Sequence, residues 1–194
     1  MATDVKINLK IYWIRHGYSC ANQIYNKKYD MKNIDKDKIA PDAKLTDITL
    51  NKICEMKKDM SYEKSKYYCV ANSDFILCSE LTRAIETAMM LFGTFNKQIF
   101  VVPYVGEIVN SSELGKTDNI PSDNEMKLIN IRNIIKFHND KRDICGGPFN
   151  STVSLDILNE IKKNHKLNNP NLDKFLKYVI PELLKIKKWI NQIM

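Results

Sequence analysis

The sequence lacks a long apolar run and has no segment that resembles a secretory leader. Although 44% of its 194 residues are hydrophobic, no stretch reaches the length of about 20 apolar residues that a membrane-spanning helix needs. The first residues, MATD, lack the basic start and the apolar core of a signal peptide. The sequence therefore predicts a soluble protein of one domain, located in the cytoplasm and without a membrane partner.

Cysteine is sparse, and its spacing forms no known pattern. The five cysteines are odd in number and widely scattered, with no Cys-x-x-Cys pair (Cys20, Cys54, Cys69, Cys78 and Cys145). This spacing favours neither a disulfide framework nor a zinc site, so we expect reduced thiols. For Cys20 and Cys78, which lie in the motifs described below, a buried structural role is favoured over a redox switch.

Clusters of basic residues are also absent, although the formal net charge is +7. Lysine is spread along the chain and mixed with aspartate and glutamate. A nucleic-acid-binding protein more often shows basic clusters with interleaved aromatic residues, so we expect no nucleic-acid partner. The sequence also gives no reason to expect a metal or another cofactor.

Apolar residues in alternation and in short runs predict a mostly parallel sheet. Val5 to Trp13 alternate with polar residues, and residues 74–79 and 99–102 are apolar runs of strand length. Amphipathic or apolar helices are predicted for residues 45–60 and 81–92. Alternating strands and helices imply right-handed crossovers, so the predicted fold class is α/β, a three-layer sandwich with helices flanking the sheet.

The second half of the sequence is predicted to be helical. A capping box opens a helix over residues 122–137, and a second helix is predicted for residues 151–164. An apolar stripe over residues 172–193 predicts a last helix that Pro181 kinks or splits. We expect residues 109–170 to form a helical lid on the single domain.

Arginine and histidine follow two of the predicted strands. Arg15 and His16 come after the first strand, and Arg83 lies in the first turn of the helix after residues 74–79. Open α/β sheets carry their chemistry at the carboxyl edge, where we expect these three side chains to meet. Two guanidiniums can bind one phosphoryl group and favour a neutral, nucleophilic imidazole. Such a site supports phosphoryl transfer without a metal.

Three further residues are candidates for the same site. Ser19 and Asn22, in the turn after the first strand, can donate hydrogen bonds to a bound anion. Glu107, beyond the strand at residues 99–102, is the carboxyl best placed to protonate a leaving oxygen and then to activate water. Simpler roles stay open: Asn22 as a helix cap, Glu107 as a solvated loop residue, and the arginines as surface ion-pair partners.

These segments resemble the motifs of the histidine phosphatase superfamily, in its phosphoglycerate mutase-like branch. Residues 15–22 read RHGYSCAN, against the family's RHGE(S/T)xxN, and residues 79–88 read SELTRAIETA, against SxLxRAxxTA. Residues 45–46 resemble the start of the family's LTxxG helix, with Thr49 in place of the glycine, and residues 102–107 resemble the segment that ends in the acid. Four matches in order are a specific signal.

The resemblance implies a role for each candidate. His16 is the nucleophile and becomes transiently phosphorylated, Arg15 and Arg83 bind the phosphate, and Glu107 donates the proton. The implied activity is hydrolysis of a phosphoric monoester, either a phosphorylated small molecule or a phosphoprotein. Two alternatives stay open: a phosphomutase of the phosphoglycerate mutase type, and a phosphate-binding module with little or no catalysis.

The sequence departs from the family in two places. Tyr18 replaces the glutamate of the first motif, which is expected to change access to the pocket or the choice of substrate. The family also carries a second histidine after a late strand, and neither His138 nor His165 follows a predicted strand. Either the chain is a shortened form of a longer protein, or the site is incomplete.

Overall fold

The structure is a computed structural model that describes residues 9–26, 42–60, 62–65, 67–105, 121–165 and 171–193. Its helices and strands occur in this order: α1 (Cys20–Asn26), α2 (Asp47–Met60), α3 (Tyr68–Ala71), β1 (Ile76–Ser79), α4 (Thr82–Phe92), β2 (Gln98–Val102), α5 (Asn124–Asp140), β3 (Thr152–Ser154), α6 (Asp156–Asn164), α7 (Leu172–Lys174), a π-helical turn (Phe175–Val179) and α8 (Ile180–Ile193).

The three strands form a small, open and entirely parallel sheet. β1 pairs with β2, and β2 with β3, so that Ile76 lies opposite Ile99 and Gln98 lies opposite Thr152. Parallel neighbours need crossover connections; α4 makes the first, and α5 lies within the second. The prediction of an α/β fold with a parallel sheet is confirmed, and the three-layer arrangement stays a prediction.

Strand β2 divides the core between its two sides. Ile99 and Val101 belong to a cluster of buried residues that includes side chains of α2, α4 and α5. Phe100 and Val102 belong to a second cluster, with side chains of α6 and α8. Successive side chains of a strand point to opposite faces, so both faces of β2 are buried, as the apolar run at residues 99–102 predicts.

Helix α4 carries Arg83 into the core. Every residue of this helix except Ala84 is buried, and the helix packs against α2, α5 and β1. A helix that is apolar around most of its circumference is stable only when it is covered on most sides. Because α4 begins three residues after β1 ends, its first turn lies at the carboxyl edge of that strand.

The prediction of a first strand is wrong for residues 9–13, which form no strand. Their large apolar side chains are exposed, and that of Trp13 is 70% exposed. Residues 5–8 lie outside the described residues. Alternating apolar residues form a strand only where another strand supplies hydrogen bonds and a core covers one face, and the sequence pattern does not supply these partners.

The predicted helix over residues 151–164 begins later than expected. Residues 152–154 form β3, and α6 starts at Asp156. Thr152 and Val153 are β-branched and fit a pleated strand. Ser154 Oγ then accepts a hydrogen bond from the Asp156 N–H over 3.1 Å. Helix α5 packs against α4, and α6 packs against β2; a lid over residues 109–170 stays a prediction.

The predicted last helix is confirmed, with a local distortion before Pro181. The chain runs from α7 through the π-helical turn directly into α8. Pro181 has no N–H to bond the carbonyl one turn earlier, and a widened turn accommodates that loss without ending the helix. Neither this helix nor any other in the described ranges is long and apolar enough to cross a bilayer.

A disulfide between Cys54 and Cys145 joins α2 to the turn after α5. The prediction of reduced thiols is therefore wrong for these two residues, which lie 91 residues apart in a spacing that no short motif indicates. Cys78 is buried, as expected, and burial raises the pKa of its thiol to about 12. Cys20 is exposed, so the expectation of a buried thiol is wrong there.

Reduction of the Cys54–Cys145 bond is expected to lower the free energy of unfolding by about 4 kcal/mol, because the bond closes a long loop in the unfolded chain. Urea unfolding with and without dithiothreitol measures the difference. A C54A/C145A variant should have the stability of the reduced protein, and dithiothreitol should not change it. The variant C69A should lose stability in dithiothreitol as the wild-type protein does. Equal stability of the oxidised and reduced proteins would contradict this role.

Candidate functional site

His16 and Arg83 are in contact, although 67 residues separate them in the sequence. Arg83 Nε donates a hydrogen bond to His16 Nε2 over 3.2 Å. The other ring nitrogen, Nδ1, lies 2.7 Å from the carbonyl oxygen of Gly17. A carbonyl only accepts, so Nδ1 carries the proton and Nε2 carries the lone pair. The nitrogen of His16 that carries the lone pair, Nε2, therefore faces the guanidinium of Arg83.

The guanidinium of Arg83 is held in place by its burial. The residue is 2% exposed and lies in the first turn of α4. Arginine keeps its charge in proteins, and its planar fork of donors suits the oxygens of a phosphoryl group. Burial fixes the side chain in one orientation before any ligand binds, so little entropy remains to be lost on binding. The site therefore contains a preoriented positive charge next to an imidazole.

Gly17 anchors the segment of residues 15–19, called the His16 turn below, to helix α4. Its N–H donates to Thr87 Oγ1 over 3.0 Å, and the same hydroxyl donates to the carbonyl oxygen of Arg83 over 2.7 Å. A Cβ atom at Gly17 would lie 2.5 Å from Thr49 Cγ2, which is closer than real contacts allow. Glycine is thus required here because two segments approach closely.

Ser19 and Asn22 bond to each other at the start of α1. Ser19 Oγ accepts from the Asn22 N–H over 3.2 Å, and Asn22 Oδ1 accepts from the Ser19 N–H over 3.1 Å. This reciprocal pattern satisfies the free N–H groups of a helix start. The capping role that was left open for Asn22 is therefore present, and the binding of an anion by these two residues stays a prediction.

The other candidates lie apart from this contact or outside the described residues. Arg15 precedes His16 in the chain, and its side chain is exposed. Within the described part of the chain, no hydrogen bond joins Arg15 to His16 or Arg83. Tyr18, in the place of the motif's glutamate, donates its hydroxyl proton to the carbonyl oxygen of Asn22 over 3.0 Å. Glu107 lies outside the described residues.

Asp42 is a buried residue beside the start of α4 that the sequence analysis missed. Its buried carboxylate accepts hydrogen bonds from the Thr82 N–H over 2.6 Å and from the Thr82 hydroxyl over 2.7 Å. It also accepts from the Ser122 N–H over 2.8 Å. A negative charge at the start of α4 is favourable because that helix end carries free N–H groups. The only sequence signal was an aspartate after Pro41, which is typical of a turn.

Glu86 is a second buried carboxylate that was missed. It lies one turn after Arg83, is 3% exposed, and accepts a hydrogen bond from the Leu45 N–H over 2.6 Å. Burial raises the pKa of Glu86 to about 7, while the hydrogen bond from Leu45 acts in the opposite direction. Leu45 in turn pairs with Ser19 through an isolated antiparallel bridge.

The two other histidines lie elsewhere in the fold. His138 is buried, and its Nε2 lies 2.7 Å from Lys57 Nζ. Burial, with a smaller contribution from Lys57, lowers the pKa of His138 to about 4, so the imidazole is neutral at physiological pH. His165 stacks on the ring of Tyr178, with 4.1 Å between ring centroids. Among the described contacts, neither histidine bonds to His16 or Arg83.

No protein-family model, curated protein or solved structure matches the chain. Within the ranges that the structure describes, no three side chains of histidine, cysteine, aspartate or glutamate are grouped so that they could hold a metal ion. The inference of function therefore depends on the geometry around His16 and Arg83.

The variant G17A is expected to cost about 1–3 kcal/mol of stability, because the added methyl group overlaps Thr49 Cγ2. The variant T49S removes that methyl group and keeps the hydroxyl, so G17A should cost less in the T49S background. Urea unfolding of the four proteins in this double-mutant cycle measures the coupling. An equal cost of G17A in both backgrounds would show that the close approach is not the cause.

Glu86 is expected to make stability fall as the pH rises. The pKa of Glu86 is about 7 in the folded protein and 4.5, the ordinary value of glutamate, in the unfolded chain. Between these two pH values the folded protein keeps a proton that the unfolded chain releases. The effect amounts to about 3 kcal/mol once the pH exceeds the folded-state pKa. His138, with its lowered pKa, acts in the opposite direction between pH 4 and 6.5.

The contribution of Glu86 is therefore measured as the difference in unfolding free energy between E86Q and the wild-type protein. E86Q should be similar to wild type near pH 5 and more stable than wild type near pH 8. The substitution E182Q, at an acid that is only partly buried, is the control, and its difference from wild type should change little with pH. A constant difference for E86Q would contradict the raised pKa.

Proposed function

We propose that the protein hydrolyses phosphoric monoesters through a phosphohistidine at His16. The observation that carries this proposal is the hydrogen bond from Arg83 Nε to His16 Nε2, with Nδ1 directed at the Gly17 carbonyl. A neutral imidazole with its lone pair on Nε2 is a nucleophile, and a buried guanidinium beside it binds the oxygens of the group attacked. Phosphoryl transfer requires little more than these two elements and an acid.

The first step forms the phosphohistidine. A phosphoryl group that enters between His16 and Arg83 replaces their mutual hydrogen bond, and the guanidinium then binds its nonbridging oxygens. Nε2 attacks phosphorus, and the bond to the leaving alcohol oxygen breaks in line with the attack. The alcohol takes a proton from Glu107, the acid that the sequence predicts. The Gly17 carbonyl keeps its hydrogen bond to Nδ1–H and stabilises the positive imidazole ring.

The second step releases phosphate. A water molecule attacks phosphorus on the side opposite to Nε2, and the carboxylate of Glu107 takes its proton. The P–N bond breaks, inorganic phosphate leaves, and the electron pair returns to Nε2. The proton on Nδ1 stays in place throughout, because Gly17 binds it in every state. The exposed Arg15 is the predicted second ligand of the phosphoryl group, with Ser19 and Asn22 as additional donors.

The resemblance of the two motifs to the histidine phosphatase superfamily supports the same activity and suggests a three-layer fold. A phosphorylated small molecule or a phosphoprotein is the proposed substrate. One observation favours a second candidate, a phosphate-binding module without turnover: among the contacts of the described residues, neither His138 nor His165 bonds to His16 or Arg83. The active-site histidine and arginine are common to both candidates, so only turnover separates them.

Hydrolysis of p-nitrophenyl phosphate in the presence of EDTA tests the proposal. H16A is expected to lose at least about 1,000-fold in kcat, since it removes the nucleophile. R83K is expected to lose about 100-fold in kcat/KM, because lysine cannot reproduce the planar fork. Quenched wild-type enzyme should carry an acid-labile phosphoryl group from labelled substrate, absent in H16A.

The variant H165A should keep wild-type turnover and serves as the control. Turnover that is equal in H16A and wild type would overturn the proposed mechanism. Binding of sulfate that R83K weakens, without any turnover in the wild-type protein, would identify the phosphate-binding module instead.

A further inference from the structure

Two buried carboxylates join the segment of residues 42–46 to helix α4. One belongs to the segment and the other to the helix. Asp42 bonds to Thr82, the residue before Arg83, and Glu86 bonds to the Leu45 N–H. The first contact lies at the start of the helix, where a negative charge is favourable. The second lies one turn further inside the helix, where no free N–H group of the helix explains the presence of an acid.

The same segment is paired with the turn that carries His16. The Cys20 N–H donates to the Lys44 carbonyl over 2.8 Å, and the Thr46 N–H donates to the Tyr18 carbonyl over 3.2 Å. Leu45 lies between these two bonds and forms the bridge with Ser19. A displacement of Leu45 therefore displaces residues 18–20, which follow His16 and Gly17 directly.

The burial of the Glu86 carboxylate costs more free energy than its hydrogen bond to one backbone amide returns. A carboxylate that is 3% exposed loses most of its hydration, and a single hydrogen bond does not restore it. Buried acids with a shifted pKa are enriched at functional sites. Glu86 and Arg83 project from the same side of α4, because three residues make almost one turn.

We propose that Glu86 is a positioning residue of the His16 site: by binding the Leu45 amide, its carboxylate holds the paired turn so that His16 Nε2 stays within reach of Arg83 Nε. The effect on turnover rests on the proposed function, whereas the effect on the turn does not. The groups that face Glu86 are the Leu45 amide, the Cys20 thiol, the ammonium of Lys44 and the carboxylate of Asp42.

The test compares E86A, which removes the acceptor, with E86Q, which keeps an acceptor oxygen and removes the charge. In E86A the amides of Leu45 and Gly17 should exchange with deuterium at least about tenfold faster than in wild type, while amides of β2 keep their rates. In E86Q all these rates should stay close to those of wild type. The control E182A, at a partly buried acid of α8 that is distant in the sequence from both segments, should change none of them.

Turnover provides a second readout that a purely structural role would not move. E86A should lower kcat for p-nitrophenyl phosphate by about 10- to 100-fold through misplacement of His16, and E86Q should restore kcat to within about threefold of wild type.

The outcomes are distinct. Unchanged exchange of Leu45 and Gly17 in E86A overturns the positioning role, as does an acceleration of exchange that extends equally to β2. Absence of turnover in wild type with faster exchange at Leu45 and Gly17 in E86A overturns the proposed function and leaves the positioning role intact. If E86A does not fold, E86D replaces it: the shorter acid keeps the charge and withdraws its oxygen from Leu45, so the same local acceleration is expected.

Discussion

The arrangement of the site depends on the hydrogen bonds that run from Gly17 through Thr87 to the Arg83 carbonyl. The Thr87 hydroxyl accepts from the Gly17 N–H and donates to the Arg83 carbonyl. It therefore fixes the backbone next to the imidazole relative to the backbone that carries the guanidinium. This works only because the residue after His16 has no side chain and the turn can lie against α2 and α4. The distance between His16 and Arg83 thus follows from the packing of the backbone.

Elements with a local signal were predicted well. Helices α2 and α4 and strands β1 and β2 lie close to their predicted bounds, because their apolar periodicity matches the face or faces that each element buries. The contact between His16 and Arg83 was also expected, although the strand that was predicted to carry His16 to the sheet edge is absent at residues 9–13. These are properties of short stretches, and a single sequence contains them.

The features that were missed depend on partners distant in the sequence. The alternation before Arg15 predicted a strand, yet residues 9–13 have no strand beside them among the described residues. The Cys54–Cys145 bond joins positions that no spacing rule links. Asp42 and Glu86 looked like ordinary polar residues, because only the folded backbone brings a free N–H group to each. In each case the determining neighbour comes from another part of the chain.

The disulfide has a topological consequence for the two halves of the site. It closes residues 54–145 into a covalent ring that contains β1, α4 and β2, and therefore Arg83, whereas His16 belongs to the open tail that precedes the ring. In the oxidised but unfolded chain, the disulfide already restricts the segment that carries Arg83, whereas the segment that carries His16 is unrestricted. To assemble the site, the N-terminal segment with His16 must pack onto the loop that the disulfide has already closed. The main opposing contribution to the free energy is the conformational entropy that this segment loses.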